Sequence, residues 1–235
     1  VDYLLMNHQE SEPNYFIDKW LAKRYAREFA TLFDVLLEQV FETVVVGAKW
    51  KDRDEYMAAL EAETNGTVVP PEDLPIDLAD VSGVVFAYTD ATYQYGMESV
   101  LLNVVADTVI GNDLPMDHGW IVQNTETLYN IYRALTESAS VTRKYVHVGG
   151  DVPRHRFLSV PLGTPVRTLL EAAGHSVDEL GSNNVLLDGG PGWCFRIDDP
   201  IDSVYVRKHT NCLMVVDSET VEANTLGNGR INLLD

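Results

Sequence analysis

Apolar residues fall along this chain in two rhythms. Short unbroken runs, Tyr3-Leu4-Leu5-Met6, Thr43 to Val46, Val84-Val85-Phe86-Ala87-Tyr88 and Trp120-Ile121-Val122, read as strands buried on both faces. Between the first two runs, Phe16, Ile17, Trp20, Leu21, Tyr25, Phe29, Leu32, Phe33, Leu36, Leu37 and Val40 recur at steps of three and four. That spacing is one stripe on a single helix of about six turns, with Lys19, Lys23, Arg24 and Arg27 on its solvated face. Asp52 to Ala62, Glu98 to Ala106 and a segment running on through Ile131 and Leu135 are helical in the same way. Strands alternating with helices predict right-handed crossovers and a parallel sheet, an α/β, Rossmann-like domain over residues 1–140. Asn65 to Asp80, with three prolines, is a surface connection in which Val68-Val69 pairs at a sheet edge.

From about Thr142 the pattern changes. Lys144 to Pro153 and Phe157 to Pro161 read as two strands joined by a turn. A short helix follows, with Thr164 as its N-cap, Pro165 at its first position and Gly174 past its end. Val185-Leu186-Leu187 and Val204-Tyr205-Val206 complete a small strand-rich domain over 141–217. Residues 218–235 form a polar tail.

Each buried run of the first domain stops in a polar loop, and ligands of open α/β sheets gather at such carboxyl ends. The loops are Asn7-His8-Gln9-Glu10-Ser11-Glu12-Pro13, Thr89 to Glu98 with Tyr93, Gly96 and Glu98, and Gln123-Asn124-Thr125-Glu126-Thr127 at a helix start. A helix N-terminus offers N–H groups and a positive dipole end to an anion. At Gly96 a side chain would hold the backbone away from a ring system.

Taken in order, these three loops resemble segments of one family. It comprises the flavoprotein subunit of respiratory complex I and its relatives in Rnf-type electron-transport complexes and cobalamin reductases of the PduS kind. The first loop is similar to the family's Asn-x-x-Glu-x-Glu-Pro, the second to Tyr-x-x-Gly-x-Glu and the third to Asn-x-Glu-Thr. The resemblance implies a Rossmann-like flavin domain followed by a soluble-ligand-binding β-grasp domain. It places Asn7, Gln9, Glu10, Tyr93, Gly96, Glu98, Asn124 and Thr127 on FMN, and Glu12 and Glu98 toward a nucleotide. Two departures stand out. Thr92 and Gln94 replace the lysine and proline of the Rnf branch, and with six residues ahead of Asn7 the family's glycine-rich loop around the flavin phosphate is expected to be missing.

Composition narrows the picture. A formal charge of −19 argues against nucleic acid or an anionic membrane surface as partner. No apolar run is long enough to cross a bilayer, so a cytoplasmic protein without membrane insertion is expected. Cys194 and Cys212 are the only cysteines and read as buried thiols. Iron–sulfur clusters take four thiolates, so no such cluster is expected. There is no Gly-x-Ser-x-Gly elbow, P-loop or His-Glu-x-x-His, and Gly189-Gly190-Pro191-Gly192 lacks the strand-to-helix context of a dinucleotide fingerprint.

Three readings follow. The leading one is a flavin-binding electron-transfer protein without clusters of its own. It would work with a redox partner protein, as an NADH-linked flavin or corrinoid reductase component, and carry a small-molecule ligand on its β-grasp domain. The second is a corrinoid (vitamin B12)-binding or B12-processing protein, for which His8, His118, His147, His155, His175 and His209 are candidate cobalt ligands. The third is a cofactor-free docking protein.

Overall fold

The computed structural model describes residues 1–13, 15–181 and 183–234. The chain divides into two compact units. The first comprises Val1–Ser11 and Phe16–Ser140, and the second Glu12–Tyr15 and Val141–Asp235.

The first unit is built on strands β1 (Tyr3–His8), β2 (Thr43–Lys49), β3 (Thr67–Val69), β4 (Gly83–Thr89) and β5 (Trp120–Asn124), in the order β3-β4-β2-β1-β5. Every pairing is parallel, with Leu5 beside Val45 on one side and Val122 on the other. Parallel strands covered on both faces need apolar side chains at successive positions, and every residue of β2 is buried. Val68 and Val69 lie in β3 at the sheet edge, as the sequence suggests. Helix α4 (Glu98–Ala106) sets Leu101, Leu102 and Val105 against Leu5, Val45 and Val85.

The long helical stripe is two helices, α1 (Ile17–Arg24) and α2 (Ala26–Gln39), with Tyr25 between them out of helical geometry. Neither Gly nor Pro marks the break, which makes it invisible to periodicity. The Tyr25 ring stacks on Tyr129 of α5 (Thr125–Glu137), with centroids 4.3 Å apart, so a tertiary contact accompanies the bend. After β2, Trp50–Asp52 and Arg53–Met57 form a tight and a wide helical turn leading into α3 (Ala58–Thr64).

The second unit is a six-stranded sheet in the order β11-β9-β8-β10-β6-β7. Its elements are β6 (Arg143–Gly150), β7 (Arg156–Pro161), α6 (Val166–Ala172), β8 (Asn184–Gly190), β9 (Trp193–Arg196), β10 (Cys212–Asp217), α7 (Ser218–Ala223) and β11 (Arg230–Ile231). An antiparallel hairpin, a covering helix and a parallel pairing of β6 with β10 make the β-grasp arrangement. Strand β10, not among the strands expected from the sequence although Cys212 to Val216 is an unbroken apolar run, occupies the middle of this sheet. Val204 to Val206 is not a strand; its backbone bonds instead to Thr164 and Val166, with one bridge between Pro165 and Tyr205. Pro165, not Thr164, is the residue before α6, and the Thr164 hydroxyl donates to the Pro161 carbonyl at 2.7 Å instead of capping the helix. Within 218–235, Val221 and Ile231 are buried against Cys194 and Cys212, so this stretch contributes to the second unit's core.

Phe29 of α2 is fully buried. Phe29→Ala should lower the unfolding free energy by about 3–5 kcal/mol, read by urea denaturation. A loss under about 1 kcal/mol would mean that α2 does not seal this face.

Candidate functional site

Strand β1 is flanked by β2 and β5, so its carboxyl end is enclosed while the residues there are polar. Alternation sends Asn7 and Gln9 to one face of the sheet and His8 and Glu10 to the other. Asn7 Nδ2 donates to the Gly96 carbonyl at 2.9 Å, tying the Tyr93–Gly96 turn to the strand end. Gln9 is fully buried, and its Oε1 accepts from the Thr89 hydroxyl at 3.2 Å. A Cβ at Gly96 would run into the Ser11 side chain, so the close neighbour this glycine accommodates is Ser11.

On the opposite face, His8 Nδ1 lies 2.8 Å from the Thr125 hydroxyl. Burial, and then the charge of Lys19, push the His8 imidazolium down to about 3, so the ring is neutral near pH 7. The Glu10 carboxylate accepts the backbone N–H groups of Asp18 and Lys19 at 3.2 and 3.1 Å, at the start of α1. Its backbone is left-handed, with φ at 37°, an uncommon conformation for a residue with a side chain. Burial raises the Glu10 carboxyl to about 7, against the opposing pull of Lys19 and the helix N–H groups. Lys49 Nζ donates to the Glu10 carbonyl at 3.3 Å, and burial together with Lys51 and Lys19 holds its ammonium below the usual lysine range. Lys19 pairs with Asp52 at 3.1 Å. It belongs to the strand-end network and not to a solvated helix face.

At the end of β5, Asn124 caps α5: its Oδ1 accepts from Glu126 N at 2.9 Å and its Nδ2 donates to Asp18 Oδ2 at 2.9 Å. This N–H of the α5 start, expected to be open to an anion, is therefore taken by the chain itself. Thr127 is exposed on the first turn, and the threonine that enters the network is Thr125. Glu98 opens α4 in an exposed position. Glu12 falls in the second unit, where its carboxylate accepts the Gly192 N–H at 2.8 Å. Sequence reasoning misses Thr89, Thr125, Lys19 and Lys49 as site residues; their place at a strand end or beside it is the signal available.

The six histidines are spread through both units. His118 contacts Asp113, His155 the Gly150 carbonyl, and His209 Asp188, while His147 stacks between Tyr15 and Phe157. Among the described residues, no group of three or more His, Cys, Asp or Glu side chains is placed to hold a metal ion. Among the same residues, no helix is long and apolar enough to cross a membrane.

His8 Nε2 and Gln9 Nε2 are buried without a hydrogen-bond partner among the described residues. Whichever way the Gln9 amide is turned, one of its polar atoms is unmatched. Buried polar atoms of this kind are rare and call for a partner such as a water, an ion or a bound group. His8 Nε2 lies on the opposite face of β1, whereas a flavin ring, rich in carbonyl and ring-nitrogen acceptors, suits the Gln9 donor. Its phosphate is a different matter, because the starts of α1 and α5 already carry Glu10 and Asn124 as caps.

A family model described as the Nuo51 FMN-binding domain matches residues 1–133. A subunit of the ion-translocating oxidoreductase complex of Vibrio cholerae is 26% identical over 216 residues, 91% of this chain and 26% of the relative. The same subunit from Pseudomonas aeruginosa is 29% identical over 221 residues, 93% of this chain and 26% of the relative. The cobalamin reductase PduS of Citrobacter freundii is 37% identical over 107 residues, 44% of this chain and 22% of the relative. Among solved structures, the NAD+-reducing NiFe-hydrogenase in the air-oxidized state matches 94% of this chain and 41% of its own, with a TM-score of 0.69 at 18% identity. The chain thus spans about a quarter of the length of these curated relatives.

The two buried groups predict a pH signature. Glu10 has its folded pKa raised from 4.5 to about 7, so its contribution to stability is full below 4.5 and is lost as pH rises through 7. His8 is lowered from 6.5 to about 3, so its contribution is present above 6.5 and is lost as pH falls toward 3. Between these unfolded values the two slopes oppose each other. In Glu10→Gln the histidine slope stands alone, and stability should rise with pH across that window by up to about 1.4 kcal/mol per pH unit relative to the parent. Parallel pH profiles for the two proteins in urea denaturation would contradict this assignment.

Proposed function

Because the chain belongs to the Nuo51 FMN-binding domain family, we propose that its first unit holds FMN at the carboxyl ends of the parallel strands and serves electron transfer within a larger redox assembly. The observation that carries this reading is the fully buried side-chain nitrogen of Gln9, unmatched among the described residues, on the same face of β1 as the Asn7–Gly96 link. In this reading Asn7, Gln9, Glu10, Tyr93, Gly96, Asn124 and Thr127 line the cofactor, with Glu98 on the nucleotide side. FMN, when bound, supplies the one- and two-electron chemistry. The protein's part is to orient the ring and set the charge around it. Glu10, poised near neutral pH between Lys19 and Lys49, can hold or release a proton beside the strand end.

The Vibrio and Pseudomonas relatives work, by their names, in an ion-translocating oxidoreductase complex, which supports a redox partner protein for this chain. NADH as donor is the finer part of the same reading. A second reading, corrinoid binding or reduction, is favoured by the 37% identity to the cobalamin reductase PduS, higher than that to either of those two relatives although over a shorter segment.

The test is retention of FMN or cobalamin after incubation and desalting, followed by titration of variants. Asn7→Ala frees the Gly96 carbonyl and should weaken FMN binding about tenfold, the equivalent of one hydrogen bond. Gly96→Val, which drives a side chain into Ser11, should abolish it. Retention of cobalamin but not FMN would favour the second reading. FMN affinity unchanged in both variants would overturn the placement of the site.

A further inference from the structure

The glycine-rich segment Gly189-Gly190-Pro191-Gly192 is not a phosphate loop, yet the second unit uses it. Cross-strand pairing sets Phe195 of β9 opposite Asp188 of β8, and Trp193 opposite Gly190, while Leu213 of β10 faces Asp188 from the other side. Directly opposite residues share a sheet face. Along that face Leu186, Leu213 and Val215 pack with Val166, Leu169 and Leu170 of α6. At Asp188 the apolar filling gives way to a carboxylate, while the place a side chain at Gly190 would take is filled by Glu12, whose own carboxylate is held by the Gly192 N–H. A concavity of about 600 Å³ opens there, within the range of about 300–1,000 Å³ usual for small-molecule sites.

Its walls carry four large rings: Tyr15, and Trp193, Phe195 and Tyr205, the last three exposed at 51%, 46% and 44%. Three half-exposed aromatic side chains gathered at one hollow mark a place that something covers. Trp193 is braced from outside the hollow: the Arg230 guanidinium lies 4.0 Å from its ring centroid, and Arg230 Nη2 donates to the Gly192 carbonyl at 3.0 Å. The Asp188 carboxylate is half-buried among these rings, with His209 Nε2 at 3.6 Å. Arg196 at the mouth is occupied by Asp198 at 2.8 Å.

We propose that this concavity binds a planar nitrogen heterocycle with two adjacent N–H donors, a guanine-like or pterin-like edge, stacked on the aromatic wall and held edge-on by Asp188. A carboxylate offers two acceptor oxygens and no donor, which matches paired N–H groups and mismatches an edge where a donor stands beside an acceptor, as in adenine. Aromatic side chains stack on any base, so the rings supply affinity and the carboxylate supplies the choice. The proposal concerns the second unit alone and stands apart from the flavin reading.

Guanosine, inosine and adenosine titrated into the full chain by calorimetry test it, with FMN titrated alongside. Guanosine should bind at least about tenfold more tightly than inosine, which lacks the exocyclic amine, or adenosine. Asp188→Asn keeps the side-chain size and should erase that preference, with the near-UV circular dichroism and FMN titration unchanged. Trp193→Ala should weaken all three nucleosides together. No guanosine binding at millimolar concentration, equal binding of the three, or an Asp188→Asn protein that retains the preference would overturn the proposal. So would a variant that loses guanosine and FMN together.

Discussion

The first unit depends on how its opening strand ends. β1 is hydrogen-bonded on both sides, to β2 and β5, and every position from Leu4 to Met6 is buried. The next four residues, Asn7 to Glu10, are polar but still enclosed, and enclosed polar groups must be matched or they cost stability. The surrounding loops are arranged around that requirement. Gly96 offers a carbonyl to Asn7, Thr89 a hydroxyl to Gln9, Thr125 a hydroxyl to His8, and the start of α1 two N–H groups to Glu10. Each partner comes from a different segment, so the strand end gathers β4, α1, α5 and the Tyr93–Gly96 turn at one place.

The matching is incomplete in a patterned way. Of the described residues at this strand end, His8 and Gln9 keep an unmatched atom; they are neighbours on opposite faces of β1, where an open α/β sheet takes its ligand. Electrostatics at the same place are balanced close to neutrality: one carboxyl is raised toward pH 7, one histidine is held neutral, and one lysine is depressed. Of these groups Glu10, raised to about 7, is the one whose charge changes near neutral pH with a small change in its surroundings.

Much of this is legible in the sequence, because doubly covered strands announce themselves as apolar runs and the three polar loops follow them directly. Strands β1, β2, β4 and β5 and helix α4 fall where the pattern puts them. The break at Tyr25 is not legible, since it accompanies a ring stack on Tyr129 and carries no Gly or Pro. Nor is the allegiance of Lys19, whose charged side chain reads as solvated until Asp52 and Glu10 are brought to it from other segments. Glu12 illustrates the limit of motif reading. It stands two residues from Glu10, yet its carboxylate is taken by the Gly192 N–H, 180 positions away. In the second unit the central strand β10 carries an unbroken apolar run, Cys212 to Val216, of the kind that marks the strands of the first unit, so its signal is present in the sequence.

The most direct test of the account is to record the side-chain amide resonances of the isotope-labelled chain while FMN is added. The account predicts that the amides of Asn7, Gln9 and Asn124 shift together and saturate at one equivalent, with the Gln9 amide gaining protection from solvent exchange. Saturable binding that leaves these three silent and moves residues of the second unit would contradict it.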